Sequence, residues 1–134
     1  MKLVLDSNVI VAAFAGRGLC SSLFELCLDR YTIVISDYIV NEVSKALLNK
    51  LKMPLKNVGI IIAFLKEFCT LLAYTKLPDG VCRDKNDDDI IALAVSNDAD
   101  YIITGDNDLL VLKKYKNIKI INPREFWTIV RDMK

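Results

Sequence analysis

The sequence predicts an α/β fold built on a mainly parallel central sheet of four to five strands. Three observations carry this. Short aliphatic, β-branched runs alternate with longer helical patterns along the chain. Two of those runs, Lys2–Leu5 and Tyr101–Thr104, lead straight into Asp6 and into Gly105-Asp106, as strands entering helices do. The chain has 134 residues, 53% of them hydrophobic and 26% charged, which is enough to bury a core and too apolar for disorder. Residues 1–134 are therefore read as a single domain, with no linker, repeat or low-complexity segment.

The elements follow in order. Lys2–Leu5 is an apolar strand, and Ser7–Ala15 a helix ending before Gly16-Arg17-Gly18. Leu19–Asp29 is helical, with Leu19, Leu23, Leu26 and Cys27 on one face. Tyr31–Ile35 is β-branched and predicts the second strand. Ser36 or Asp37 caps the next helix, whose stripe is Ile39, Val40, Val43, Ala46 and Leu47. Pro54 suits a first helical turn, so a helix is expected over Pro54–Phe68. Leu71–Tyr74 is a short strand and Leu77–Asp84, with Pro78 and Gly80, a loop. Asp87–Asn97 is a helix opened by acids, Tyr101–Thr104 a strand and Asp106–Tyr115 a helix. Ile118–Ile121 is a strand, and Pro123 starts a last helix to about Arg131.

Composition excludes several chemistries. There is no histidine, which removes Ser-His-Asp triads, Cys-His pairs and HExxH zinc sites together. Cys20, Cys27, Cys69 and Cys82 form no CxxC pair and read as free, mostly buried thiols of a cytoplasmic protein. The longest apolar stretches, Val9–Ala15 and Ile60–Leu65, fall short of a membrane span, so no membrane is expected as a partner. Gly16-Arg17-Gly18 follows a helix, with Ser21 where a third glycine belongs, so a dinucleotide fingerprint is absent; so is a P-loop. Asp6-Ser7-Asn8 resembles the opening of haloacid-dehalogenase-type phosphatases, but Asn8 stands where their general acid belongs.

The formal charge is only +1, yet it is unevenly spread. Residues 84–108 hold eight aspartates against Lys85, a net −7, which leaves +8 elsewhere. Part of that is Lys45, Lys50, Lys52 and Lys56, and part is Lys113, Lys114, Lys116 and Lys119. An acidic focus in a basic molecule is the layout of a metal site that handles a polyanion.

Parallel sheets bind ligands outside the carboxyl ends of their strands. Asp6 and Asp106 follow two strand ends and face one another if those strands are neighbours. Asp87, at the start of a connecting helix, reaches the same edge, and Glu42, one turn into its helix, leans over it. Taken singly, each aspartate is also an ordinary helix cap and Glu42 an ordinary solvated side chain. Taken together, the acids repel one another unless a hard divalent cation, Mg²⁺ or Mn²⁺, joins them. Such a site activates water toward a phosphodiester without histidine.

These same residues resemble the PIN-domain nucleases. Leu3-Val4-Leu5-Asp6-Ser7-Asn8-Val9 looks like their opening motif. Cys82-Arg83-Asp84-Lys85-Asn86-Asp87-Asp88, followed by Ala92 and Ala94, looks like the third acidic motif. Ala99–Leu110, with Thr104-Gly105-Asp106-Asn107-Asp108-Leu109, looks like the fourth, and Glu42 occupies the place of the second. The likeness is strongest to PIN proteins that are toxins of toxin–antitoxin modules. It implies a Rossmann-like three-layer α/β/α fold and Mg²⁺- or Mn²⁺-dependent cleavage of RNA. It also implies an antitoxin protein as partner and a homodimer. Carried over residue by residue, Asp6, Glu42, Asp87 and Asp106 are catalytic, with Asp6, Asp87 and Asp106 as metal ligands. Asn8 and Thr104 orient them. Asp88 and Asp84 remain alternatives to Asp87, and Asp108 either shares the role of Asp106 or caps the next turn. The alternative function is a PIN-like module that binds RNA or protein without cutting.

Overall fold

The computed structural model describes residues 1–16, 18–77 and 85–132, with only the backbone at positions 85 and 86. Its elements are β1 (Lys2–Leu5), α1 (Ser7–Ala15), α2 (Leu19–Arg30), β2 (Thr32–Ile35), α3 (Asp37–Lys45) and a π-helical turn (Ala46–Lys50). There follow α4 (Leu55–Phe68), β3 (Thr70–Leu71), α5 (Lys85–Ser96), β4 (Tyr101–Ile103), α6 (Asn107–Leu110), β5 (Lys114–Tyr115), β6 (Ile118–Ile121) and α7 (Pro123–Asp132). The expectations for Arg17, Cys82, Asp84 and the loop beyond Leu77 lie outside the described residues.

The strands form one sheet in the order β3-β2-β1-β4-β6-β5, parallel except at the β5–β6 pair. From β1 the chain steps outward through β2 to β3, then returns through α5 to β4 on the other side of β1. Parallel crossovers are right-handed, so this reversal puts α5 on the opposite face of the sheet from the helices that precede it. Accordingly α1 packs on α2 and α3, and α3 on α4, whereas α5 packs on β1 and β4. Both faces of the central strands are covered. Leu3, Val4, Leu5, Val34, Ile35, Ile102 and Ile103 are all fully buried, which is why these runs read as continuously apolar.

Local signals set the helix starts. Ser36, not Asp37, caps α3, its Oγ accepting from the Ile39 N–H at 3.2 Å. Pro54 stands just outside α4 as its N-cap, one position earlier than expected. Cys20, Cys27 and Cys69 are free, and burial pushes the Cys27 and Cys69 thiols up to about 12. No single helix among the described residues is long and apolar enough to cross a membrane.

Three expectations are corrected. The sheet has six strands, because the two-residue β5 pairs with β6 through Lys114↔Lys119 and Tyr115↔Ile118. The helix expected over Asp106–Tyr115 is a single turn, Asn107–Leu110; Lys113 then takes a left-handed φ of 61° and sends the chain into β5. Strand pairing at the sheet edge outweighs helix propensity there. The strand expected over Leu71–Tyr74 is Thr70–Leu71, ending where only the Leu72 N–H still reaches Ile35.

Candidate active site

β1 and β4 are neighbours in register, Leu5 opposite Ile103, so the residues that follow them emerge side by side at the carboxyl edge. This is the point where strand order reverses. The Asp6 N–H still donates to the Ile103 carbonyl at 2.9 Å, which ties Asp6 to the sheet. Asp6 stands at the N-cap of α1, but its side chain makes no capping hydrogen bond. It turns instead to Thr104, whose Oγ1 donates to Asp6 Oδ2 at 2.7 Å, and Ser7 Oγ donates to Oδ1 at 3.4 Å. The Thr104 oxygen in turn accepts the Asp106 N–H at 3.0 Å. Thr104 is fully buried, so one hydroxyl joins the ends of both strands.

Asp106 does cap, its Oδ1 accepting from the Asp108 N–H at 2.9 Å. The cap turns the chain so that one carboxylate oxygen from each of Asp87, Asp106 and Asp108 lies within 4.8 Å of the other two. Asp87 is in the first turn of α5 and only 6% exposed. Of its neighbours on the helix, Asp89 accepts the Tyr74 hydroxyl at 2.8 Å; burial, together with this hydrogen bond, pushes that hydroxyl up to about 12. Asp88 belongs neither to the carboxylate trio nor to the cleft lining described below.

Asp6, Glu42, Asp87 and Asp106 line a single cleft of about 170 Å³. Asn8 lines it as well, together with Ser7, Tyr38, Ile39, Ile90 and Lys50. Glu42 reaches the cleft from α3, with its Oε1 4.0 Å from the Lys45 ammonium. Burial raises the Asp6 carboxyl above its ordinary value, the hydrogen bonds from Thr104 and Ser7 pull it down, and the charge of Asp106 pushes it up. A buried acid beside another acid is costly without a cation. The donors are all carboxylate oxygens, with no sulfur or imidazole, and this set fits a hard divalent cation. Sequence alone assigns Lys50 to a basic cluster suited to RNA phosphates; no local pattern places it, or Tyr38, beside the acids.

A PIN-domain family model matches residues 2–108. Among solved structures the chain is similar to one in the VapBC2 complex of Rickettsia felis bound to a promoter DNA fragment. The TM-score is 0.63 at 17% identity, covering 91% of this chain and 98% of that one. It is also similar to VapC20 of Mycobacterium tuberculosis, described as a sarcin–ricin loop cleaving toxin. There the TM-score is 0.59 at 10% identity, covering 87% and 98%. At these identities the likeness is one of fold. A search of curated proteins returns no match. The family match takes in both strand ends, Glu42 and the acid run of α5, and by it the chain belongs to the PIN-domain family.

Proposed function

We propose that this PIN domain is a Mg²⁺- or Mn²⁺-dependent endoribonuclease and the toxin of a toxin–antitoxin pair. The observation that carries the reading is the convergence of Asp6, Glu42, Asp87 and Asp106 on one cleft at the strand-order reversal. The likeness in fold to a toxin that cleaves the sarcin–ricin loop supports RNA as the substrate. The likeness to a VapBC complex supports an antitoxin as the partner. Ile60 and Phe68 on α4 are exposed apolar side chains open to a protein partner. A homodimer and a cytoplasmic location belong to the same proposal.

In this reading Asp6, Asp87 and Asp106 hold the ion, and Asp108 adds a fourth carboxylate to the set. Glu42 faces the cleft from α3 and helps hold the ion or orient its water, and Asn8, facing it from α1, orients the ligands. Thr104 holds Asp6 and the Asp106 backbone in fixed relation. A bound Mg²⁺ or Mn²⁺ supplies charge neutralisation and a water of lowered pKa.

The experiment is cleavage of a mixed panel of structured and single-stranded RNAs with Mg²⁺, Mn²⁺ or EDTA, run beside Asp6→Asn. Metal-dependent cutting that disappears in the variant is expected. Cutting that persists in EDTA or in Asp6→Asn, or a protein that neither cuts nor is stabilised by Mn²⁺, overturns the reading.

A further inference from the structure

Lys50 lines the acidic cleft with Asp6, Glu42, Asp87 and Asp106, and the way it arrives there is specific to this backbone. In an unbroken α-helix the residue two turns beyond Glu42 on the same face is Asn49, at i+7. Here α3 passes into the π turn Ala46–Lys50, closed by the Leu51 N–H donating to the Ala46 carbonyl at 3.2 Å, an i→i−5 bond. The wider turn takes up one additional residue. Lys50, itself exposed like Asn49, therefore comes onto the face of Glu42 and lines the cleft, while Asn49 lines no part of it. Single π turns of this kind occur frequently at functional sites.

The other lysines of this region are placed differently. Lys45 lies 4.0 Å from Glu42, and Lys45, Lys52 and Lys56 do not line the cleft. Among the described residues, Lys50 makes no ion pair and is the one cation on the cleft lining, which holds four carboxylates. Those carboxylates repel an approaching polyanion. A lysine ammonium is a compact point charge on a flexible stem, suited to a phosphate oxygen.

We propose that Lys50 is a phosphate-binding residue of the cleft, contacting a backbone phosphodiester of the RNA and holding the strand against the carboxylates. This rests on the nuclease reading above. The contact is electrostatic and independent of base identity.

The test measures binding of a short fluorescein-labelled single-stranded RNA of mixed sequence to Asp6→Asn protein, with and without Lys50→Met, Lys50→Arg or Lys56→Met. Cleavage by the same substitutions in the otherwise native chain is measured alongside, as is thermal stabilisation of each by Mn²⁺. Lys50→Met is expected to weaken RNA binding about fivefold and to lower the log–log salt slope by about 0.7, the increment of one phosphate contact on a single strand. Lys50→Arg restores both, Lys56→Met changes neither, and stabilisation by Mn²⁺ survives in Lys50→Met. Unchanged RNA affinity and salt slope in Lys50→Met overturn the proposal. So does loss of Mn²⁺ stabilisation, which makes Lys50 part of the structure of the acid site and not of its RNA contact. If native protein cuts RNA and Asp6→Asn does not, either result sinks Lys50 alone; if native protein neither cuts nor binds RNA, the nuclease reading falls and takes this one with it.

Discussion

The Thr104 hydroxyl donates to Asp6 Oδ2 at 2.7 Å across the junction of β1 and β4, although the two residues are 98 positions apart in sequence. The same oxygen accepts the Asp106 N–H. One buried hydroxyl thereby sets the spacing of two acids that approach the cleft from different strands.

Thr104→Val removes that hydroxyl while keeping the β-branched shape. Groups that orient metal ligands are worth roughly 10–100-fold in metal affinity or activity, and a loss in that range is expected for RNA cleavage. Thr104→Ser keeps the donor and is expected to retain most of the activity. Cleavage rates and Mn²⁺ titration of both variants check this; a fully active Thr104→Val would show that the hydroxyl does not position the site.

Asp6→Asn is expected to raise the Tm of metal-free protein at neutral pH, roughly by a few degrees, while abolishing cleavage. The sign follows from burial. The folded-state carboxyl is raised above its ordinary 3.8, so the folded state binds the proton more tightly than the unfolded chain does. Stability is then lost as pH rises from 3.8 through the folded-state value, and the loss persists above it. The gap between variant and native protein should close toward acid pH. Melting curves in EDTA across pH decide it, and a variant less stable than native at neutral pH contradicts the sign.

Mn²⁺ is expected to stabilise native protein by mass action, by about 2.7 kcal/mol at a hundredfold excess over Kd. Asp87→Asn and Asp106→Asn should cancel the effect, because both side chains belong to the close carboxylate trio. Asp88→Asn, one position along α5, should leave it intact. Equal loss in Asp87→Asn and Asp88→Asn would mean that the ion responds to the charge of the helix start and not to a site.

Lys116→Gly is expected to stabilise the protein by about 0.5–1 kcal/mol without affecting cleavage. Lys116 takes a φ of 54° in the turn between β5 and β6, a conformation that costs an L side chain and that glycine adopts freely. The greater freedom of glycine in the unfolded chain offsets part of the gain. Denaturant unfolding of the two proteins measures it.

Much of the frame was legible in the sequence because its signals are local. Lys2–Leu5 and Ile118–Ile121 appear with the bounds read from their aliphatic runs, and α1 keeps both ends of the expected Ser7–Ala15. Asp6 and Asp106 were visible as acids following strands, and Ser36 as one of two possible caps. Where pairing across the sheet competes with local preference the reading failed, as in the helix expected over Asp106–Tyr115, where Lys114-Tyr115 pairs with β6.

By itself, then, the sequence determined that strands alternate with helices, that acids follow strand ends and that no histidine takes part. Each of these depends on composition or on residues within three or four positions of one another. Only the tertiary structure decided that β1 and β4 lie side by side and that Asp87 rather than Asp88 faces the cleft. It alone decided that Asp108 joins Asp87 and Asp106, and that a π turn puts Lys50 where Asn49 would have been. These depend on strand order, on how α5 docks and on a single residue taken up within a helix. All are set by burying the core, and none has a local pattern to announce it.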